Sequence, residues 1–340
     1  MSLKRSRHML AASTVLVAAL TLAACGGGDG DGGGDATNDA GDGNGAGELV
    51  TVGFVAVGPE GAWRQANEQN IQDTFTEDAG YDLKFAPATN LDQASQISAF
   101  TSFVDEGVDV ILLSATEGSG WEDSLRRAQE AEIPVILIDR GIEPDDTDLY
   151  VSRIAPDNLE VSSGVAEWAI SEFPEGARYF VLEGPAGVSV VNERNEGWDA
   201  VIGGESQFEK VGAQTANWST EEARGVFETV LQSENNEIDM VFAQNDEMGL
   251  GAALAAEAAG LEPGVDVKIA TIDGTQNALE ALAEGRLSFV AEYNPLFGET
   301  AMEVVESVLA GEEVESYIIV PSLTFDSPEA AQEALPDRKF

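Results

Sequence analysis

The chain has 340 residues, enough for one or two domains of ordinary size, and its 17 basic and 62 acidic residues give a net charge of −45. Such an acidic surface repels nucleic acid and anionic lipid headgroups, which excludes a nucleic-acid partner. A single histidine and a single cysteine leave almost no material for histidine or thiolate catalysis.

The first 24 residues have the pattern of a secretory signal peptide. Three basic residues precede an apolar stretch, residues 9–24, which ends in small side chains. Its end, Leu22-Ala23-Ala24-Cys25, resembles the lipobox of bacterial lipoproteins and predicts a lipid on Cys25. An ordinary signal peptide or a short transmembrane helix is the alternative, but the stretch is too short to span a bilayer comfortably.

Cleavage before Cys25 would change both the charge and the chemistry of the chain. It would lower the net charge from −45 to −48 and remove His8, the only histidine. The mature chain could then build neither a Ser-His-Asp or Cys-His centre nor a histidine or thiolate zinc site.

Residues 25–47 are almost wholly Gly, Asp, Asn and Ala. They cannot bury a core, so we expect a flexible, charged tether.

From residue 48 onward, predicted strands alternate with predicted helices. The strands of the first half are residues 49–57, 81–87, 108–114, 133–138 and 149–154, and its helices are 61–78, 91–106 and 120–131. In the second half the strands are 178–183, 208–216, 240–243, 267–272, 287–293 and 317–320. The helices are 158–173, 187–202, 220–232, one that follows the strand 240–243 and continues through residue 258, 275–283 and 297–309, and the last strand precedes an acidic tail. This alternation predicts α/β architecture with parallel sheets covered on both faces. No long linker separates the halves, so we expect two lobes joined by several strand crossings, with a cleft between them.

The stretch from Val241 to Ala252 links a buried strand, residues 240–243, directly to a helix, with Asn245 and Asp246 at the turn. Ligands of open α/β sheets bind outside the carboxyl ends of the strands, where these side chains would point. Asp246 is interpreted as the helix N-cap, which accepts a backbone N–H. A cap needs only one of the two residues, so Asn245 is the stronger candidate for ligand binding.

Polar and aromatic residues follow most of the predicted strands. The candidates are Glu60, Trp63, Arg64, Thr116, Trp121, Asp139, Arg140, Ser189, Arg194, Asn245, Asp273, Glu292 and Tyr293. Carboxylates, amides and guanidinium groups that converge with aromatic rings suit a polyhydroxylated ligand. Each also has a simpler interpretation: Trp63 and Trp121 could be core, Asp139-Arg140 a surface ion pair, and Asp273-Gly274 a turn.

Five motifs give a specific family resemblance. They are Ile138-Asp139-Arg140, Ile154-Ala155-Pro156-Asp157-Asn158, the segment from Gly184 to Arg194, the segment from Phe242 to Gly249, and Ile272-Asp273-Gly274-Thr275. This series resembles the periplasmic sugar-binding proteins of the ribose-binding type, over residues 49–320. The segments from Glu60 to Arg64 and from Gly118 to Glu122 are closer to galactofuranose-binding members than to ribose-binding ones.

The resemblance implies a fold and a division of the site. The fold would be two doubly wound parallel-sheet lobes, residues 48–153 plus 294–318 and residues 154–293 plus 319–340. Three hinge crossings, near residues 152–156, 293–295 and 317–321, would join them. Asp139 and Arg140 would bind sugar hydroxyls from the first lobe, and Arg194, Asn245 and Asp273 from the second. Trp63, Arg64 and Trp121 would form the wall that selects the ring form. Tyr293 and Asn192 depart from the ribose pattern, where Gln and Arg are common.

The resemblance further implies a lipid-anchored, extracytoplasmic, monomeric solute-binding protein that closes on a monosaccharide and delivers it to the permease of an ABC importer. Such a protein catalyses no reaction and needs no cofactor or metal. Repressor relatives carry a helix-turn-helix where this chain has its lipobox and tether. Two alternatives stay open: a sugar sensor that reports to a membrane partner, and a glycosidase that uses carboxylates alone.

Overall fold

Two six-stranded sheets organise the part of the chain that the computed structural model describes, residues 48–143 and 145–340. The predicted signal peptide, the lipidation site Cys25 and the whole predicted tether lie outside the described residues. Within the described ranges, no helix combines the length and the apolar character needed to cross a bilayer.

The strands alternate with helices along most of the chain. The strands are β1 (Val50–Ala56), β2 (Tyr81–Pro87), β3 (Val110–Leu113), β4 (Val135–Ile138), β5 (Ser152–Ala155), β6 (Arg178–Glu183), β7 (Glu209–Thr215), β8 (Met240–Ala243), β9 (Lys268–Asp273), β10 (Phe289–Glu292), β11 (Tyr317–Ile319) and β12 (Thr324–Phe325). The helices are α1 (Ala62–Thr74), α2 (Gln93–Glu106), α3 (Glu122–Glu130), α4 (Asn158–Glu172), α5 (Ser189–Ile202), α6 (Thr220–Ser233), α7 (Asp246–Ala258), α8 (Gln276–Ala283), α9 (Gly298–Leu309) and α10 (Pro328–Ala334).

Each lobe is built on one sheet. The first sheet has the order β11-β5-β4-β3-β1-β2 and is parallel throughout, with Phe54 opposite Leu112. The second has the order β12-β10-β9-β8-β6-β7 and is parallel except for β12, which runs antiparallel to β10. Central strands such as β3 and β8 are buried at every residue, as expected for strands covered on both faces. The predicted fold class is therefore confirmed.

The chain passes between the sheets three times. It leaves the first sheet after β5, returns after β10, and leaves again after β11. The strands on either side place these crossings close to the predicted segments. The exact residues at which one lobe gives way to the other stay a prediction.

Two predictions about local structure were wrong. The fifth strand was expected at residues 149–154, but β5 pairs with β4 only from Ser152 onward. Leu149 and Tyr150 are buried in the preceding loop, and their burial resembles a strand pattern in the sequence. The end of the chain was expected to be an acidic tail. It instead forms β12 and α10, because Ser327 caps the helix ahead of Pro328 and Ala331 is buried in the second core.

Candidate functional site

A cavity lies between the two lobes, at the carboxyl ends of the parallel strands. Its lining comes from the carboxyl ends of seven strands and from the loops and helices that follow them, which is why residues far apart in sequence meet there. The lining residues are Glu60, Gly61, Trp63, Arg64, Asp139, Arg140, Val190, Arg194, Trp218, Asn245, Glu247, Asp273 and Tyr293.

The first lobe contributes two buried arginine–carboxylate pairs. Arg64 pairs with Asp139, and Arg140 pairs with Glu60. Arg64 Nη1 also donates to Ser114 Oγ at 3.2 Å, which fixes the guanidinium plane. The Nε atoms of Arg64 and Arg140 are buried and have no hydrogen-bond partner within the described residues. Because a buried donor without a partner costs free energy, these two N–H groups are suited to a ligand oxygen.

Asp139 stays ionised although it is fully buried. Burial alone would raise its pKa, but the charges of Arg64 and Arg140 outweigh burial and hold the pKa below its ordinary value. Tyr293 donates its hydroxyl to Asp139 Oδ1 at 2.9 Å. Burial, reinforced by the Asp139 charge, raises the Tyr293 pKa well above its ordinary value, so the phenol keeps the proton it donates.

The second lobe contributes a third pair, Arg194 with Asp273, with the two side chains 3.4 Å apart. Arg194 is held by the Gln244 carbonyl and by Asn158 Oδ1, the latter at 3.0 Å from its Nε. Its guanidinium lies 4.8 Å from the centre of the Tyr293 ring. Burial raises the pKa of Asp273 well above its ordinary value, and the Arg194 charge offsets this only in part.

The turn after β8 assigns the helix cap to Asn245 and not to Asp246. Asn245 Oδ1 accepts the backbone N–H of Met248 at 3.0 Å, while its Nδ2 donates to Glu247 Oε2 at 2.6 Å. Asp246 turns inward and accepts from Thr271 Oγ1 and from the N–H and hydroxyl of Thr275. The prediction that Asp246 caps the helix was therefore wrong. Asn245 caps the helix with its side-chain oxygen and also lines the cavity.

Aromatic rings line two sides of the cavity. Trp63 donates its indole N–H to the Tyr293 carbonyl, and the two rings lie 5.2 Å apart. Trp218 enters from the loop after β7, and its buried indole Nε1 has no hydrogen-bond partner in the described part of the chain. Flat apolar faces beside charged hydrogen-bonding groups suit a ring that carries both C–H and O–H groups.

The lobes touch each other around the cavity. Hydrogen bonds cross from Ala62 N to Glu247 Oε1 (3.0 Å), from Gly118 N to Gly187 O (3.3 Å), from Gly141 N to Ser189 Oγ (3.0 Å) and from Asn192 Nδ2 to Glu143 Oε1 (3.2 Å). Each bond joins a residue of the first lobe to a residue of the second lobe. The structure therefore holds the two lobes closed over the cavity.

Nine of the thirteen predicted site residues line this cavity, and four do not. Thr116 donates its hydroxyl to Gln96 Oε1, and Ser189 accepts the Gly141 N–H. Trp121 is 1% exposed and packs against Phe100 in the first-lobe core. Glu292 forms an ion pair with Arg338 (2.5 Å).

Sequence reasoning missed the lining residues Gly61, Val190, Trp218 and Glu247. Trp218 follows a predicted strand, so the rule that found the others could have found it too.

No group of three or more His, Cys, Asp or Glu residues in the described ranges is arranged to hold a metal ion. The cavity instead alternates positive and negative groups, each pair presenting N–H donors next to carboxylate acceptors. This arrangement matches vicinal hydroxyl groups, each of which donates one hydrogen bond and accepts others.

Comparison with known proteins agrees with this geometry. The periplasmic binding protein domain family matches residues 52–313. A relative from Bifidobacterium longum, the fructose import binding protein FruE, is 46% identical over 98% of this chain and 97% of its own length. The galactofuranose-binding protein YtfQ of Escherichia coli is 32% identical over 85% of this chain and 92% of its own length. A Mycobacterium smegmatis crystal structure in complex with β-D-fucofuranose has a TM-score of 0.81 and 39% identity, and covers 85% of this chain and 95% of that one.

Proposed function

Because the chain belongs to the periplasmic binding protein family, we propose that it captures a neutral monosaccharide in a five-membered, furanose ring and delivers it to an ABC importer. The observation that carries the proposal is the set of three arginine–carboxylate pairs around one closed cavity. Each arginine is already paired with an acid, which favours an uncharged ligand over a sugar acid or a sugar phosphate.

The furanose form is supported by the relatives and by the cavity wall. One relative is named for galactofuranose, and a similar structure holds fucofuranose. Fructose, in the name of another relative, can also close as a five-membered ring. Trp63 and Tyr293 pack on each other at one end of the cavity and limit the room along the sugar ring. We propose galactofuranose or a related furanose, with fructofuranose among the candidates.

Capture would proceed by hinge closure. Sugar entering the open cleft would first meet one lobe, and the second lobe would then close on it and form the inter-lobe hydrogen bonds. The closed form would be the one that docks productively on the permease. The protein would act as a monomer and would neither catalyse a reaction nor need a cofactor.

We propose that the protein is extracytoplasmic and is anchored by a lipid on Cys25. The family relationship supports the location, and the lipobox-like sequence supports the anchor. Cys25→Ser should move the protein from the membrane fraction to the soluble fraction of cells. Continued membrane association of that variant would contradict lipid anchoring. It would not bear on the proposal that the protein binds a sugar.

The glycosidase alternative is disfavoured by the cavity. It requires two carboxyl groups that face each other across the sugar without an arginine clamp. Of the four carboxylates that line the cavity, Glu60, Asp139 and Asp273 each pair with an arginine. Among the described residues only Glu247 lines the cavity without an arginine partner, so the required pair of unclamped carboxyl groups is not present there. The importer is preferred to a sensor because a relative that aligns along nearly the whole chain is named as an import protein.

The experiment is a thermal-shift screen of free sugars, followed by calorimetry on those that raise the melting temperature. We expect a sugar such as galactofuranose or fructose to bind in its furanose form, and Arg140→Ala to lower the affinity about 100-fold by removing a charged donor from the cavity. Arg126→Ala, which removes a half-exposed first-lobe arginine, is the control and should bind normally. Sugar binding that survives Arg140→Ala would refute the assignment of the cavity, and turnover of a glycoside would refute a pure binding role.

A further inference from the structure

Arg153 joins the two lobes at the hinge, outside the cavity. It lies on β5, immediately before the first crossing, and its side chain is 13% exposed. Its Nη1 and Nη2 donate to Glu193 Oε1 and Oε2 at 2.7 and 2.9 Å. Glu193 lies on α5 in the second lobe. A bidentate ion pair of this kind fixes both the distance between β5 and α5 and their relative orientation.

The same guanidinium holds a cavity residue in place. Arg153 Nε donates to the backbone carbonyl of Asp139 at 2.8 Å, and Asp139 N donates to Ile154 O at 2.8 Å. Asp139 has a left-handed backbone with φ of 66°, which is unfavourable for a residue with a side chain. Arg153 therefore stabilises the strained turn that aims the Asp139 carboxylate into the cavity.

In the second lobe, Glu193 is hydrogen-bonded to Asn158, which also contacts two residues that line the cavity, Tyr293 and Arg194. Asn158 Nδ2 donates to Glu193 Oε2 at 2.7 Å and to the Tyr293 hydroxyl at 3.0 Å. Its Oδ1 accepts Arg194 Nε at 3.0 Å. Arg194 follows Glu193 directly on the same helix, and only Arg194 of the two lines the cavity.

The network reaches all three crossings between the lobes. Arg153 belongs to the first, and Tyr293 follows β10 at the second. The Arg153 guanidinium lies 5.2 Å from the centre of the ring of Tyr317, on the strand that leads into the third. A change in the angle between the lobes would have to break or redirect these contacts.

We infer that Arg153 and Glu193 are positioning residues that clamp the lobes in the closed form and so raise sugar affinity without touching the sugar. This inference rests on the proposed function, because the clamp adds affinity only if closure captures a ligand. It follows that the pair acts on the release of sugar and leaves the encounter with the open cleft unchanged.

The test measures sugar association and dissociation rates for Glu193→Gln, Arg153→Gln and the double variant. Each single variant leaves a mostly buried partner without its counter-charge. We expect affinity to fall about tenfold or more through faster dissociation, with the association rate unchanged. The double variant should lose less than the sum of the two single losses, because the residues act as a pair. Arg178→Gln is the matched control, since it breaks a pair with Glu234 (2.9 Å) that lies wholly within the second lobe.

Small-angle X-ray scattering of correctly folded variants with saturating sugar measures lobe closure directly. The variants should keep a larger radius of gyration than the wild type at equal saturation. Unchanged affinity and closure in correctly folded variants would overturn the inference. Arg153→Lys keeps the charge but not the bidentate geometry, so it should release sugar faster than the wild type, and it supplies the test if Arg153→Gln does not fold. A wild-type protein that binds no monosaccharide would instead refute the proposed function.

Discussion

The indole of Trp218 packs directly on Gly184, and a Cβ atom at position 184 would lie 2.1 Å from Trp218 Cη2. Gly184 follows β6 and Trp218 follows β7, which are neighbours in the second sheet. The glycine therefore leaves the space that lets the ring lie at the cavity wall. Because a backbone position outside the cavity lining positions the ring, a small side chain added there should alter the cavity wall.

Gly184→Ala should weaken sugar binding about tenfold, since the added methyl group must displace Trp218. Overpacking of this kind should also lower the free energy of unfolding by about 1–3 kcal/mol. Gly225→Ala is the control, because Gly225 lies inside α6 with open space around it. That substitution should leave affinity unchanged and raise stability by about 0.5–1 kcal/mol. Calorimetry and urea unfolding measure both effects, and normal binding by Gly184→Ala would show that Trp218 does not depend on the glycine.

Trp121 and Trp218 should respond in opposite ways to truncation. Trp121→Ala should cost about 3–5 kcal/mol of stability, because its side chain is wholly within the core, yet the folded protein should bind sugar normally. Trp218→Ala should lower affinity about tenfold or more, because it removes an apolar face from the cavity. Titration at low temperature, where both variants are folded, separates the two effects. A large loss of sugar affinity in Trp121→Ala would show that Trp121 does contribute to the ligand-binding wall.

These two tryptophans show what local sequence can and cannot predict. Both follow strands, and nothing near them in the sequence says which way the indole turns. Phe100 completes the core around Trp121, whereas Gly184, 34 positions away in the chain, makes room for Trp218 at the cavity. The direction of each ring is set by neighbours that only the fold brings together.

Glu292 shows that the partner of a charged side chain is equally hard to predict from local sequence. It ends β10 as a ligand-binding carboxylate would, but Arg338 binds it from the C-terminal segment that was expected to be a tail. By contrast, buried strands such as β3 and strand-end residues such as Asp139 were predictable. Their signals, an unbroken apolar run and a polar residue directly after it, are contained in a few consecutive positions.

Asp246 should make stability depend on pH. Burial raises its pKa from 3.8 to about 7, against which the hydrogen bonds from Thr271 and Thr275 act only in part. The folded state therefore binds a proton more tightly than the unfolded state between about pH 4 and 7. It follows that this group's contribution to stability is complete below pH 4, falls as the pH rises to 7, and stays low above it. Asp246→Asn should flatten the pH profile of the free energy of unfolding over this range. A variant whose profile runs parallel to the wild type's would contradict the assignment.

Glu247 should control how long the closed form lasts. Its carboxylate accepts the Ala62 N–H from the opposite lobe at 3.0 Å and the Asn245 amide at 2.6 Å, so it ties a cavity residue to lobe closure. Gly61 leaves room for it, since a Cβ there would lie 2.8 Å from Glu247 Oε1. Glu247→Ala should speed sugar dissociation about 10- to 100-fold, the range expected for losing a hydrogen bond to a charged acceptor. Glu221→Ala removes the carboxylate at the equivalent position in the first turn of α6 and should leave dissociation unchanged. Stopped-flow measurement of both variants decides the matter: equal dissociation rates would mean that the bond to Ala62 adds nothing to closure.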